Sequence, residues 1–112
     1  MQHAGPPELT AALDRLWTQF RPQIEERVAI LEAAAPALAA GVLTQDASLE
    51  AASAAHKLAG VLGTFGLAEG TALAREAEAF YAGVRDPRPA EGPHQASLAG
   101  QLRAMLVARQ SS

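Results

Sequence analysis

The side chain in this sequence best surrounded for chemistry is the imidazole of His56. On a helix its surface neighbours are the residues three and four positions away, here Ala52, Ser53, Ala59 and Gly60, with Gly63 continuing the line. All of them are small. An exposed imidazole is largely neutral near pH 7, and its unprotonated nitrogen is a competent nucleophile. A glycine inside a helix costs about 1 kcal/mol relative to alanine, so Gly60 asks for a reason. One reading is that the imidazole must stand clear for another protein's backbone to approach; the other is a close helix–helix contact. Lys57 is adjacent on a long stem, able to swing a positive charge towards a phosphoryl group on His56, or to serve as a plain solvated charge.

Phosphoryl transfer is mostly positioning plus charge stabilisation. A partner that supplies Mg²⁺ and an acidic pocket could do nearly all of the catalysis, leaving this chain to contribute the nucleophile and a docking face with no cofactor of its own. No G-x-x-x-x-G-K-[ST] loop is present, so the chain is not expected to phosphorylate itself from ATP. His3 and His94 are isolated, and without cysteines or a His-x-x-x-His pair no metal-ligand pattern emerges. Glu25, Glu26 and Glu32 read as a solvated face with Arg27 rather than as paired catalytic carboxylates.

The elements that must position His56 are helices. Residues 1–6 read as a flexible lead, and Pro7 and Glu8 suit a first helical turn. Leu9, Leu13, Leu16, Trp17 and Phe20 recur at helical spacing. Pro22 disfavours helical geometry at Arg21, predicting a break or bend there. A second helix carries Ile24, Val28, Leu31, Ala35 and Leu38 on its buried face, with Pro36 kinking or ending it and Gly41 as its C-cap. A third, capped by Thr44 or Asp46, runs from Ala47 to about Leu62, with Leu49, Leu58, Val61 and Leu62 as its core side and Gly63 as a left-handed cap. Thr64–Gly66 forms a tight turn. A fourth helix spans about Leu67 to Tyr81, and Gly70 on its apolar stripe predicts loosened packing. Residues 85–93 read as a surface loop, and a last helix, about Gln95 to Arg109, buries Leu98, Leu102, Met105 and Leu106. The short connection between the third and fourth helices implies antiparallel neighbours. The expected fold is all-α, an antiparallel four-helix bundle with an additional N-terminal helix.

Composition agrees and sets limits. At 112 residues the chain is expected to be a single domain, 1–112. Its residues are 49% hydrophobic and 19% charged, typical of a globule, while aromatics at 4% and abundant alanine favour helix over strand. A net charge of −3 with nine scattered basic residues argues against nucleic acid as a partner. No run approaches the ~20 apolar residues that span a bilayer, and Met1 to Glu8 lack a basic n-region and an apolar h-region. A cytoplasmic, monomeric protein without a membrane partner is the expectation.

The segment Ala54 to Glu78, AAHKLAGVLGTFGLAEGTALAREAE, resembles the core motif of the histidine-containing phosphotransfer (HPt) family. The shared elements are the H-x-L-x-G run of His56, Leu58 and Gly60, the G-T-F-G turn of Gly63 to Gly66, and a Leu/Ala-rich helix ending in Glu. The resemblance implies that His56 is phosphorylated and that response-regulator receiver domains are the partners, a hybrid histidine kinase among the candidates. It also implies a bundle in which this His is exposed, and the placement of Ser53, Lys57, Ala59, Gly60 and Gly63 around His56 makes them the expected contacts to partner or phosphoryl group. Many members carry Lys three residues after the His, where this chain has Ala59. That departure keeps a second reading open, a non-catalytic bundle that docks a receiver or kinase without phosphoryl transfer.

Overall fold

The computed structural model describes residues 7–83 and 88–111, without the side chains of residues 110 and 111. The expected flexible lead, His3 within it, and the first part of the expected loop lie outside the described residues. Among the described residues four helices form the fold: α1 (Pro7–Ala39), α2 (Gln45–Thr64), α3 (Ala68–Gly83) and α4 (Gly92–Ser111), with a short 3₁₀ turn at Pro89–Glu91 before α4. It is an all-α bundle. α1 packs on α2 and α4, and α3 packs on α2 and α4, so α1 and α3 stand diagonally opposed.

Side-chain contacts fix the directions. Along α4, Gly92 lies against Ala39, Arg103 pairs with Glu32, and Arg109 pairs with Asp14, so α4 runs antiparallel to α1. The contacts His94–Glu76 and Met105–Gly70 give α4 the same relation to α3. The core runs between the four helices through Trp17, Ile24, Val28, Leu31, Leu58, Leu62, Tyr81, Leu98, Leu102 and Leu106. Trp17 closes one end, edge-on to Phe65 at 5.2 Å between ring centroids and beneath the Arg109 guanidinium at 5.0 Å. Alanines fill much of α2's inner face: Ala51, Ala52, Ala54, Ala55 and Ala59 are all buried.

Of the break or bend expected at Arg21, the break is absent. The two helices expected before residue 40 are one 33-residue helix with Pro22 and Pro36 inside it. Both prolines are exposed, and the carbonyl that Pro22 leaves without its helical donor belongs to exposed Thr18, where water can satisfy it. Trp17, Ile24, Val28 and Leu31 hold one face of the helix across that point. Tertiary packing overrides the local preference.

The ends of the helices follow capping chemistry. α1 closes in a Schellman motif on Gly41 (φ 75°), with Val42 N–H donating to Ala37 and Gly41 N–H to Leu38. Thr44 caps α2, its Oγ1 accepting from Ala47 N–H at 3.0 Å. At the far end the left-handed residue is Gly66 (φ 72°), not Gly63. α2 continues to Thr64, and the reason is a second Schellman motif: Leu67 N–H donates to Leu62 and Gly66 N–H to Gly63. The later part of the expected loop is structured, since residues 89–91 form the 3₁₀ turn and Gly92 and Pro93 open α4.

Two packing expectations also change. Leu49 is 52% exposed, because α2 buries the stripe Ser48, Ala51, Ala52, Ala55, Leu58, Ala59 and Leu62, and Leu49 falls outside it. Gly70 is a tight contact rather than a gap. A Cβ there would stand 2.9 Å from Met105 Cε and 3.0 Å from Leu62 Cδ1, so the missing side chain lets α4 and α2 close on α3.

Candidate functional site

His56 projects from the middle of α2, on the side turned to α3, with its side chain 74% exposed. The small inner residues of α2 allow α3 to approach, and two bonds from side chain to backbone fix the register between the helices. Ser48 Oγ donates to the Tyr81 carbonyl at 2.9 Å in a buried setting, and Thr71 Oγ1 donates to the Ala59 carbonyl at 3.2 Å. These ties lie on either side of His56. They bring Glu78 opposite the imidazole, with Glu78 Oε2 2.9 Å from His56 Nδ1.

That contact decides which ring nitrogen is available. An ionised carboxylate can only accept a hydrogen bond, so in the neutral ring it is Nδ1 that carries the proton and Nε2 that holds the lone pair. Nε2 has no hydrogen bond among the described residues. The site therefore presents an oriented nucleophilic nitrogen directed away from its carboxylate partner.

An open groove runs beside the imidazole, with Ala59 and Gly60 on the α2 side and Arg75 and Glu78 on the α3 side. Gly60 is exposed, and a Cβ there would meet nothing within 4 Å. Of the two readings of this glycine, the close helix contact is therefore removed. Ala59 is only 6% exposed and forms the floor of the groove. Lys57 and Ser53 lie elsewhere: they line a separate cleft towards α1 with Glu26, Arg27 and Glu50. Gly63 is exposed further along α2, its Cβ position 3.5 Å from Thr71 Oγ1. The structure thus gathers His56, Ala59 and Gly60 at one groove and sets Lys57 and Ser53 off it.

Glu78 and Arg75 were missed as site residues by reasoning along one helix. The signal that could find them is the hairpin: with a tight turn at Gly63–Gly66, an antiparallel α3 places its third turn opposite His56. His94, the other described histidine, sits in the first turn of α4 and pairs with Glu76 on α3. Tyr81 is buried beneath the α2–α3 contact, and burial pushes its phenol up to about 12. No helix among the described residues is long and apolar enough to cross a membrane.

Comparison with known proteins follows the same line. The family model described as Hpt domain matches residues 15–112. Protein RcaC of Microchaete diplosiphon is 33% identical over 93 residues, an alignment that covers 83% of this chain and 14% of RcaC. The chain thus spans a small fraction of the length of that curated relative. No solved structure gives a significant match.

Proposed function

The chain belongs to the Hpt domain family of phosphorelay proteins, and from that premise we propose that His56 is its phosphoryl-accepting residue, taking the group from a receiver-domain aspartate and passing it to a second receiver. The observation that carries this reading is the pair His56–Glu78. A solvent-exposed imidazole has its Nδ1 engaged at 2.9 Å and its Nε2 without a hydrogen bond among the described residues, and it lines a groove bordered by Gly60. Attack at Nε2 leaves the ring positively charged, and the Glu78 carboxylate beside Nδ1 offsets that charge. The chain supplies the nucleophile, its orientation and the docking face. Mg²⁺ and the acidic pocket that complete the chemistry belong to the receiver.

The test is transfer from a phosphorylated receiver domain to the purified chain. The expected product is an acid-labile, base-stable label that His56→Gln abolishes. Persistent labelling of that variant would sink the assignment. Normal receiver binding by His56→Ala, with no phosphate exchange by the unmodified chain, would favour the docking-module reading instead.

A further inference from the structure

We propose that Arg75 supplies the positive charge that meets the phosphoryl group on His56, an inference that rests on His56 being the phosphoryl carrier. Among the described residues, one basic side chain besides the imidazole lines the groove at His56, and it comes from α3 rather than α2. Arg75 precedes Glu78 by three residues, so the two are neighbours on one face of α3. Their tasks differ. Glu78 is engaged with His56 Nδ1, whereas Arg75 is exposed and makes no ion pair or side-chain hydrogen bond among the described residues.

The alternatives on α2 are poorly placed. Ala59, one turn beyond His56, brings no charge and is 6% exposed. Lys57 lines the cleft towards α1 with Glu26 and Glu50, and is not among the residues that line the groove beside the imidazole. A guanidinium at position 75 also offers a rigid planar fork of donors matched to two phosphoryl oxygens, a geometry that an ammonium lacks.

The need for a cation follows from the charge balance of the step. The Nε2 lone pair forms the N–P bond as the P–O bond to the donor aspartate breaks, and the carboxylate leaves with that electron pair. The ring becomes cationic and keeps its Nδ1 proton against Glu78. The phosphoryl group, with nearly two negative charges, now shares a groove with the Glu78 carboxylate. Arg75 offsets this repulsion. In the onward step an oxygen of the acceptor aspartate attacks phosphorus, the N–P bond breaks, and the electron pair returns to Nε2.

The experiment compares the full chain with Arg75→Gln, Arg75→Lys and Lys57→Gln, each labelled by the same phosphorylated receiver domain. Arg75→Gln is expected to slow labelling roughly tenfold or more, and Arg75→Lys to restore part of the rate. In ³¹P NMR of the loaded proteins, the phosphoryl titration of Arg75→Gln should move to higher pH, a change that a merely structural role would not produce. Wild-type labelling matched by Arg75→Gln, or a loss confined to Lys57→Gln, would overturn the assignment of Arg75 alone. Slow labelling by both Arg75 variants with an unmoved ³¹P titration would overturn it too. A wild-type chain that takes no label overturns the carrier reading and this proposal with it.

Discussion

His56 Nδ1 on α2 and Glu78 Oε2 on α3 lie 2.9 Å apart, and this single bond between two helices selects the nitrogen left free for chemistry. Its partner residue is 22 positions away in sequence, held opposite by the flanking bonds from Ser48 and Thr71.

Removing the carboxylate should therefore affect transfer without touching the nucleophile. Glu78→Leu is expected to slow phosphoryl transfer by about 10- to 100-fold, which corresponds to losing one hydrogen bond to a charged group, about 1.5–3 kcal/mol. Glu78→Gln keeps an acceptor oxygen without the charge and should lose less. Initial rates of labelling from a phosphorylated receiver give the comparison, and ¹⁵N NMR of the ring reports the tautomer. Unchanged rates in Glu78→Leu would remove any role for this contact.

Gly60 separates stability from function. Its Cβ position is open, with nothing within 4 Å, so Gly60→Ala meets no clash and gains helix propensity. The variant should be more stable by about 1 kcal/mol, read from urea unfolding. Receiver-dependent labelling should fall, because the added methyl stands where a docking backbone approaches. A stabilised variant that is labelled at the wild-type rate would show that the gap beside His56 is not used.

How far the sequence alone could be read depends on the range of the interactions involved. The Thr44 cap, the Gly41 cap and the small residues flanking His56 act within one or two turns, and all were legible. Pro22 misled because its local rule takes no account of Trp17, Ile24, Val28 and Leu31 packing one face of α1 across it. Gly63 misled because two glycines compete for the cap, and the bond from Leu67 N–H to Leu62 settles it in favour of Gly66. Glu78 and Arg75 join the site only through the α2–α3 register. That register is set by contacts across the hairpin, which no single-helix pattern contains.

Gly92 lies at a close approach between α4 and α1. A Cβ at this position would come 2.6 Å from Ala39 Cβ and 2.9 Å from Ala39 Cα, atoms that cannot swing aside. Gly92→Ala should destabilise the bundle by about 1–3 kcal/mol, as for overpacking elsewhere. Gly70→Ala is the control, since its Cβ would meet the flexible end of Met105 and adding a methyl also favours helix; it should change stability by less than about 1 kcal/mol. Equal stability of Gly92→Ala and the parent chain in chemical denaturation would contradict the contact.

The ion pair between Glu32 and Arg103 makes the α1–α4 contact sensitive to acid. Arg103 donates from Nε to Oε2 at 3.1 Å and from Nη2 to Oε1 at 2.8 Å, and these hydrogen bonds hold the Glu32 carboxyl below its usual value of 4.5. Because the folded carboxyl is the stronger acid, the pair stabilises fully above that usual value. The contribution then fades as pH falls through the lower folded value. Both side chains are more than a third exposed, at 35% and 38%, so solvent screening keeps the pair to about 1 kcal/mol or less. Glu32→Gln should therefore be less stable than the parent near pH 7. The gap should close in acid, where Glu32 is protonated, and shrink in high salt. Urea midpoints of the two chains from pH 7 to pH 3 measure this directly. A gap that stays constant across that range would assign the loss to packing of the Glu32 side chain rather than to its charge.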